Sequence, residues 1–176
     1  MDAATLKFRI RSAFDAVEYP GDDRIAVTDS YGDEPELTAA AFVGKRDRWA
    51  ISSADLDYAS LNACCLSFFT PEAFRFYLPA FMVADLDGSL GEADPEFYLW
   101  NGLTDDRIDA VASRVWTGDA TCGDLRREHF ADFTREQAAV VVEVLRSRVE
   151  FNGFNRSEVG QALRNFWLAK AGEPAG

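Results

Sequence analysis

LSFFTPEAFRFYLPAFMVADLD, residues 66–87, is the densest apolar run in the chain, and its reading sets the fold class. Thr70 is a good N-cap, and Pro71 suits the first helical position, where its missing N–H would be unsatisfied anyway. Glu72 falls in the first turn, where the positive end of the helix dipole favours it. From Phe74 to Leu86, apolar side chains fall on nearly every side of a helix, and a helix apolar all round is a buried one. Glu72, Arg75 and Asp85 interrupt the run too soon for a membrane span. Pro79 lies inside it, cannot donate to the Arg75 carbonyl, and predicts a kink or break there.

Outward from this element, the pattern is helical almost throughout. Leu6, Ile10, Ala13, Phe14 and Val17 share one face of a helix over about Ala4 to Val17, which Tyr19-Pro20-Gly21 ends. Residues 22–35 read as loop with a short extended piece at 24–28. Leu37 to Val43 reads as a short helix, closed by Gly44 and a basic cluster, Lys45, Arg46 and Arg48, that suits a helix C-terminus. Trp49 and Ile51 are expected to enter the core. Ser52 or Ser53, with Asp55, caps a helix carrying Leu56, Ala59, Ala63 and Leu66.

After the central helix, Asp94-Pro95-Glu96 repeats the cap-and-proline pattern and opens a short helix that Asn101-Gly102 breaks. Thr104-Asp105-Asp106 predicts another, with Ile108, Val111, Ala112 and Val115 on one side. Residues 117–131 read as loop or short turns. Thr134 with Gln137 opens a helix over 135–149, with Ala138, Val141, Val142, Leu145 and Val149 inward. A last helix spans about Ser157 to Ala169. The reading is all-α: a compact bundle of about six to eight helices in one domain, 1–176, around the buried helix at about 71–87.

Four pieces of this sequence also carry a resemblance. LSFFTPEAFRFYLPAFMVADL, YPGDD at 19–23, FVGK at 42–45, and FTREQAAVVVEVL at 133–145 followed by LRNFW are similar to the bacterial DUF6714 family and appear in its order. The resemblance implies kinship of fold and brings no activity with it. The acidic stretch 29–36 and the Cys64–Cys65 pair lie outside it.

Charge is the second signal. The net charge is −12, and residues 15–36 and 85–109 each carry −7, which leaves the rest of the chain at +2. Direct nucleic-acid binding is disfavoured, because phosphate contacts need a basic surface. A basic protein partner is compatible, since opposed fields speed encounter. The N-terminus has no signal-peptide apolar region, no run reaches membrane length, and three cysteines make no disulfide framework, so a cytoplasmic protein is expected.

Catalytic signatures are sparse. Counting from Asp85, the acidic turn has neither the glycine nor the glutamate of a calcium loop at the required places. His129 and Cys122 could form a thiol–imidazole pair, and Cys64, Cys65, Cys122 and His129 a zinc site, but neither has the expected ligand or oxyanion context. There is no phosphate-binding, nucleophile-elbow or zinc-protease motif. No catalytic residue, metal or cofactor is therefore assigned. The leading expectation is a non-enzymatic acidic binding protein, an immunity- or antitoxin-type inhibitor, meeting a basic partner through Asp22, Asp23, Asp33 and Glu34. The alternatives are a module self-associating through an exposed patch of Phe97, Tyr98 and Trp100, and an enzyme using carboxylates or Cys122–His129 near Arg75 and Pro79.

Overall fold

The structure is a computed structural model and describes residues 1–27, 32–56, 65–91, 93–113, 117–152 and 155–174. The fold is all-α. In order, the helices are α1 (Ala3–Phe14), α2 (Glu34–Phe42), α3 (Pro71–Leu86), α4 (Pro95–Trp100), α5 (Cys122–His129), α6 (Arg135–Asn152), α7 (Arg156–Ala162) and α8 (Leu168–Ala171). The only extended pairings among the described residues are isolated bridges, Ala26 with Phe69 and Val111 with Thr121. By its internal contacts the chain divides into two units, Asp2–Tyr98 and Leu99–Gly176.

In the first unit, the central helix forms as its sequence predicts. The Thr70 hydroxyl accepts from the Ala73 N–H (3.1 Å), Pro71 occupies the first turn, and every residue from Ala73 to Ala84 except Arg75 is buried. Pro79 does not break it; the helix runs through to Leu86 with Pro79 buried. Helix α1 packs on α3 through Leu6, Ile10 and Phe14, and Lys7 pairs with Asp87 at 2.5 Å just past the end of α3. An aromatic cluster of Phe42, Phe69, Tyr77 and Phe81 fills the space between α2 and α3. Ring pairs at these centroid distances add to plain area burial.

Ser52 caps the helical turn that begins at Ser53: its hydroxyl accepts from the Asp55 N–H and donates to the Asp55 carboxylate. The continuation of that helix through Ala59 and Ala63 falls outside the described residues. Leu66 lies in a single turn, Cys65–Ser67. Two expectations for this unit are corrected. Trp49 and Ile51 are only half-buried, and the residue that enters is Arg48, 5% exposed. Its planar head packs on the Phe76 ring (3.9 Å to the centroid), a geometry that suits guanidinium better than ammonium.

In the second unit, α6 packs against α8, and the reciprocal cap between Thr134 and Gln137 is complete. Ala138, Val141, Val142 and Leu145 are buried as predicted, while Val149 is half-buried. The last helix is not uniform. Between α7 and α8, Leu163–Trp167 widens into a π-helical turn. Trp167 is buried and donates to the Leu99 carbonyl (2.6 Å), while Leu163 and Phe166 remain half-buried.

Two further corrections concern residues 104–129. Over the described residues, the predicted helix after Thr104 is a series of turns, closed by Arg107 and Ile108 N–H groups on the Thr104 carbonyl, and its Val115 falls outside the described residues. The chain then straightens, and Ala112 and Cys122 donate across to Ala120 and Ala110. This pairing leaves Val111 42% exposed instead of on an inner face. Conversely, the expected loop at 117–131 holds α5, opened by a full capping box between Thr121 and Asp124.

Candidate functional site

Four carboxylates carry the partner reading, and all lie in the first unit. Asp22 is the most constrained. Its Oδ1 accepts from the Tyr19 hydroxyl at 2.5 Å and from the Gly44 N–H at 2.8 Å, and its Oδ2 lies 3.6 Å from Arg46. Gly44 has a positive φ of 75°, the left-handed conformation that ends α2 and that glycine adopts without cost. Asp22 therefore closes the turn after α2, where a carboxylate alone would be unfavourable beside the negative helix end. The Gly44 N–H and Arg46 offset that. Hydrogen bonding from Tyr19, then from Gly44, holds the Asp22 carboxyl below the usual carboxylate range, while burial followed by the Asp22 hydrogen bond raises Tyr19.

Asp23 is exposed, with no hydrogen bond or ion pair among the described residues. Asp33 is exposed at the N-cap position of α2 but makes no side-chain capping bond, and Glu34 is half-buried in the first turn. The four residues are therefore not one cluster. Asp22 and Asp23 stand by the C-terminal end of α2 and Asp33 and Glu34 at its N-terminal end, separated by the length of a nine-residue helix, about 13 Å. Glu36, exposed on the first turn of α2, joins the N-terminal pair. Helix position alone would have placed it there.

Behind this face lies a polar cluster that the sequence reading missed. Arg48, unlike Lys45 and Arg46 of the same basic run, does not serve the end of α2. Arg48 reaches back to α1, where Nη1 donates to the Phe14 carbonyl (3.0 Å) and Nη2 to the Val17 carbonyl. Arg48 thus pins the stretch just past α1, as a second donor to the Phe14 carbonyl, which also accepts from the Val17 N–H (3.1 Å), and as a donor to the Val17 carbonyl. Desolvation pushes its pKa down to about 10, so it remains charged at neutral pH. Beside it the Tyr77 hydroxyl lies 3.1 Å from the Phe42 carbonyl and 3.2 Å from that of Lys45, and burial raises its pKa well above the ordinary tyrosine value. The signal for Arg48 was its place between Asp47 and Trp49, in a segment where a core entry was expected.

The second acidic segment, 85–109, behaves differently. Asp87 pairs with Lys7, Asp94 accepts from the Phe97 N–H to cap α4, and Asp106 accepts from the Thr104 hydroxyl. Asp105 accepts from the Asn165 amide and lies 3.7 Å from Arg164. Most of its described acids hold local structure.

The remaining candidates separate. Cys122 and His129 occupy the two ends of α5, seven residues apart, so about 10 Å of helix axis rules out a thiol–imidazole hydrogen bond. His129 is half-buried, and desolvation, then Arg126, lowers its pKa to about 4. Cys65 and Cys122 are free thiols, and Cys64 lies outside the described residues. Among the described residues no group of three or more His, Cys, Asp and Glu side chains could hold a metal ion. Tyr98 is buried, so Phe97, Tyr98 and Trp100 do not form one exposed patch.

The family model described as a family of unknown function, DUF6714, matches residues 2–171. The chain belongs to DUF6714. The match runs through the FTPEAF segment of α3, the Tyr19–Asp23 turn and α6, so the elements that build the Asp22 cluster are all inside it. No curated protein and no solved structure matches the chain. No helix among the described residues of this DUF6714 member is long and apolar enough to cross a membrane.

Proposed function

We propose that this chain is a non-enzymatic binding protein, an immunity- or antitoxin-type inhibitor that presents an acidic face along α2 to a basic protein partner in the cytoplasm. One observation carries the reading. The side chains of Asp23, Asp33 and Glu36 are exposed and make no ion pair or hydrogen bond among the described residues, whereas most described acids of 85–109 hold local structure. Unpaired surface acids contribute little to folding but set a field that steers a cationic partner and raises its association rate. Their spread over both ends of α2, about 13 Å, suits a macromolecular surface better than a small ion. The two described cysteines, both free thiols, fit a reducing compartment.

The test is affinity capture with the intact chain at low and high salt, with partners identified by mass spectrometry. The variant for comparison carries Asp23→Asn, Asp33→Asn, Glu34→Gln and Glu36→Gln together. The reading expects a basic protein retained at low salt, weakened at high salt, with an association rate that drops at least tenfold in the variant and loses salt dependence. Equal association by parent and variant would remove α2 and its flanking acids from the account.

A further inference from the structure

The partner reading does not need Asp22 to be where it is, and Asp22 is arranged unlike its acidic neighbours. One carboxylate collects a hydroxyl from Tyr19, three residues before it, and a backbone N–H from Gly44, on the far side of α2. The Gly44 N–H also lies 3.3 Å from the Tyr19 hydroxyl oxygen, so three groups converge. The Tyr19 ring is fixed from behind by an edge contact with Phe76 on α3 (5.4 Å between centroids). The segment carrying Asp22 is otherwise joined to its surroundings further on, by the Ala26–Phe69 bridge and the Thr70 hydroxyl on the Arg24 carbonyl.

We propose that Tyr19, Asp22 and Gly44 form a charge-dependent tether, a conformational device that holds the Tyr19–Asp23 turn on the end of α2 while Asp22 is ionised and releases it when that charge is lost. A protonated carboxyl retains one good acceptor oxygen and gains a donor, and here both incoming groups are donors. Charge-assisted hydrogen bonds are about twice as strong as neutral ones, so protonation weakens both contacts together. The groups facing Asp22 are Tyr19 on its own segment, Arg46 on the turn after α2, and Tyr77 on α3, with Arg48 beyond Tyr77. Arg46 favours the ionised carboxylate, and neither tyrosine titrates in the acid range. The direction is therefore fixed: the tether is present above the ordinary carboxylate range and is lost as pH falls through the lowered Asp22 value.

Amide NMR of the full chain tests this, following the Gly44 resonance from neutral pH into acid. The expected result is one titration of the Gly44 amide shift with a midpoint below that of an ordinary aspartate. Asp22→Asn should abolish that titration, and Tyr19→Phe, which changes no charge at neutral pH, should move the midpoint up toward the ordinary value. At neutral pH the Gly44 amide should exchange with solvent several-fold faster in both variants than in the parent. That second measurement stands even where acid unfolds the chain. A Gly44 shift that does not titrate in the folded parent, or one that titrates identically in Asp22→Asn, overturns the proposal. So does an exchange rate at neutral pH that neither variant changes.

Discussion

Arg48 shows how much a single side chain can decide. Its guanidinium is the bond between the end of α1 and the body of the first unit, through the Phe14 and Val17 carbonyls and the Phe76 face. Removing it takes a donor from two carbonyls, of which Phe14 keeps the Val17 N–H, and leaves a void against an aromatic ring, both routes to destabilisation. We expect Arg48→Ala to cost about 3 kcal/mol in urea unfolding. Arg48→Lys should recover only part, because a compact ammonium cannot bridge both carbonyls and stack on the ring at once. A loss under about 0.5 kcal/mol for Arg48→Ala would show that α1 is held by its apolar face alone. His129 gives a second test at this scale. Its pKa is about 4 in the folded chain, below the ordinary value of 6.5, so between those values the unfolded chain binds the extra proton. Stability should be at full strength above the ordinary histidine value and fall as pH drops towards about 4. The shift bounds this loss at about 3 kcal/mol. Urea midpoints measured across that range should flatten in His129→Leu; an unchanged slope would mean other groups govern it.

At the scale of elements, α5 is the informative case. Its sequence, CGDLRREH, has one aliphatic residue, so hydrophobic periodicity passes over it, and a glycine at its second position reads as loop. The signal was in the caps: Thr121 and Asp124 bond reciprocally, and Arg126, Arg127 and His129 suit the last turn. The glycine is there for room. A Cβ on Gly123 would stand 2.6 Å from both the Ile108 carbonyl and its Cγ1. Helix propensity favours alanine over glycine by about 1 kcal/mol, while overpacking against backbone costs about 1–3 kcal/mol. The clash should win, so Gly123→Ala is expected to lower the melting temperature. A rise would mean that the 104–110 turns move aside freely. The opposite error, a helix predicted after Thr104, has the same origin. Ile108, Val111, Ala112 and Val115 match a helical period, but residues 110–112 instead pair with 120–122, a contact that no local window contains.

Over the whole molecule, the two −7 segments look alike in sequence and differ in how many of their acids are paired. Most described acids at 85–109 sit at helix starts or turns or opposite lysine, arginine and asparagine, whereas the side chains of Asp23, Asp33 and Glu36 face solvent unpaired. A cationic partner sensitive to salt should therefore respond to the first segment and be nearly indifferent to the second. The sequence by itself determined the all-α class, the buried helix from Pro71, the caps at Thr70 and Thr134, and the family. Each rests on interactions within a few residues: a capping side chain three positions from its donor, or an apolar repeat with the helical period. Only the tertiary structure decided that Arg48 serves α1, that Asp22 closes α2, that Cys122 and His129 cannot meet, and that the predicted acidic site lies at two ends of one helix. Those facts depend on groups brought together from 22 to 34 residues apart, or held apart by a helix, and no local pattern encodes them.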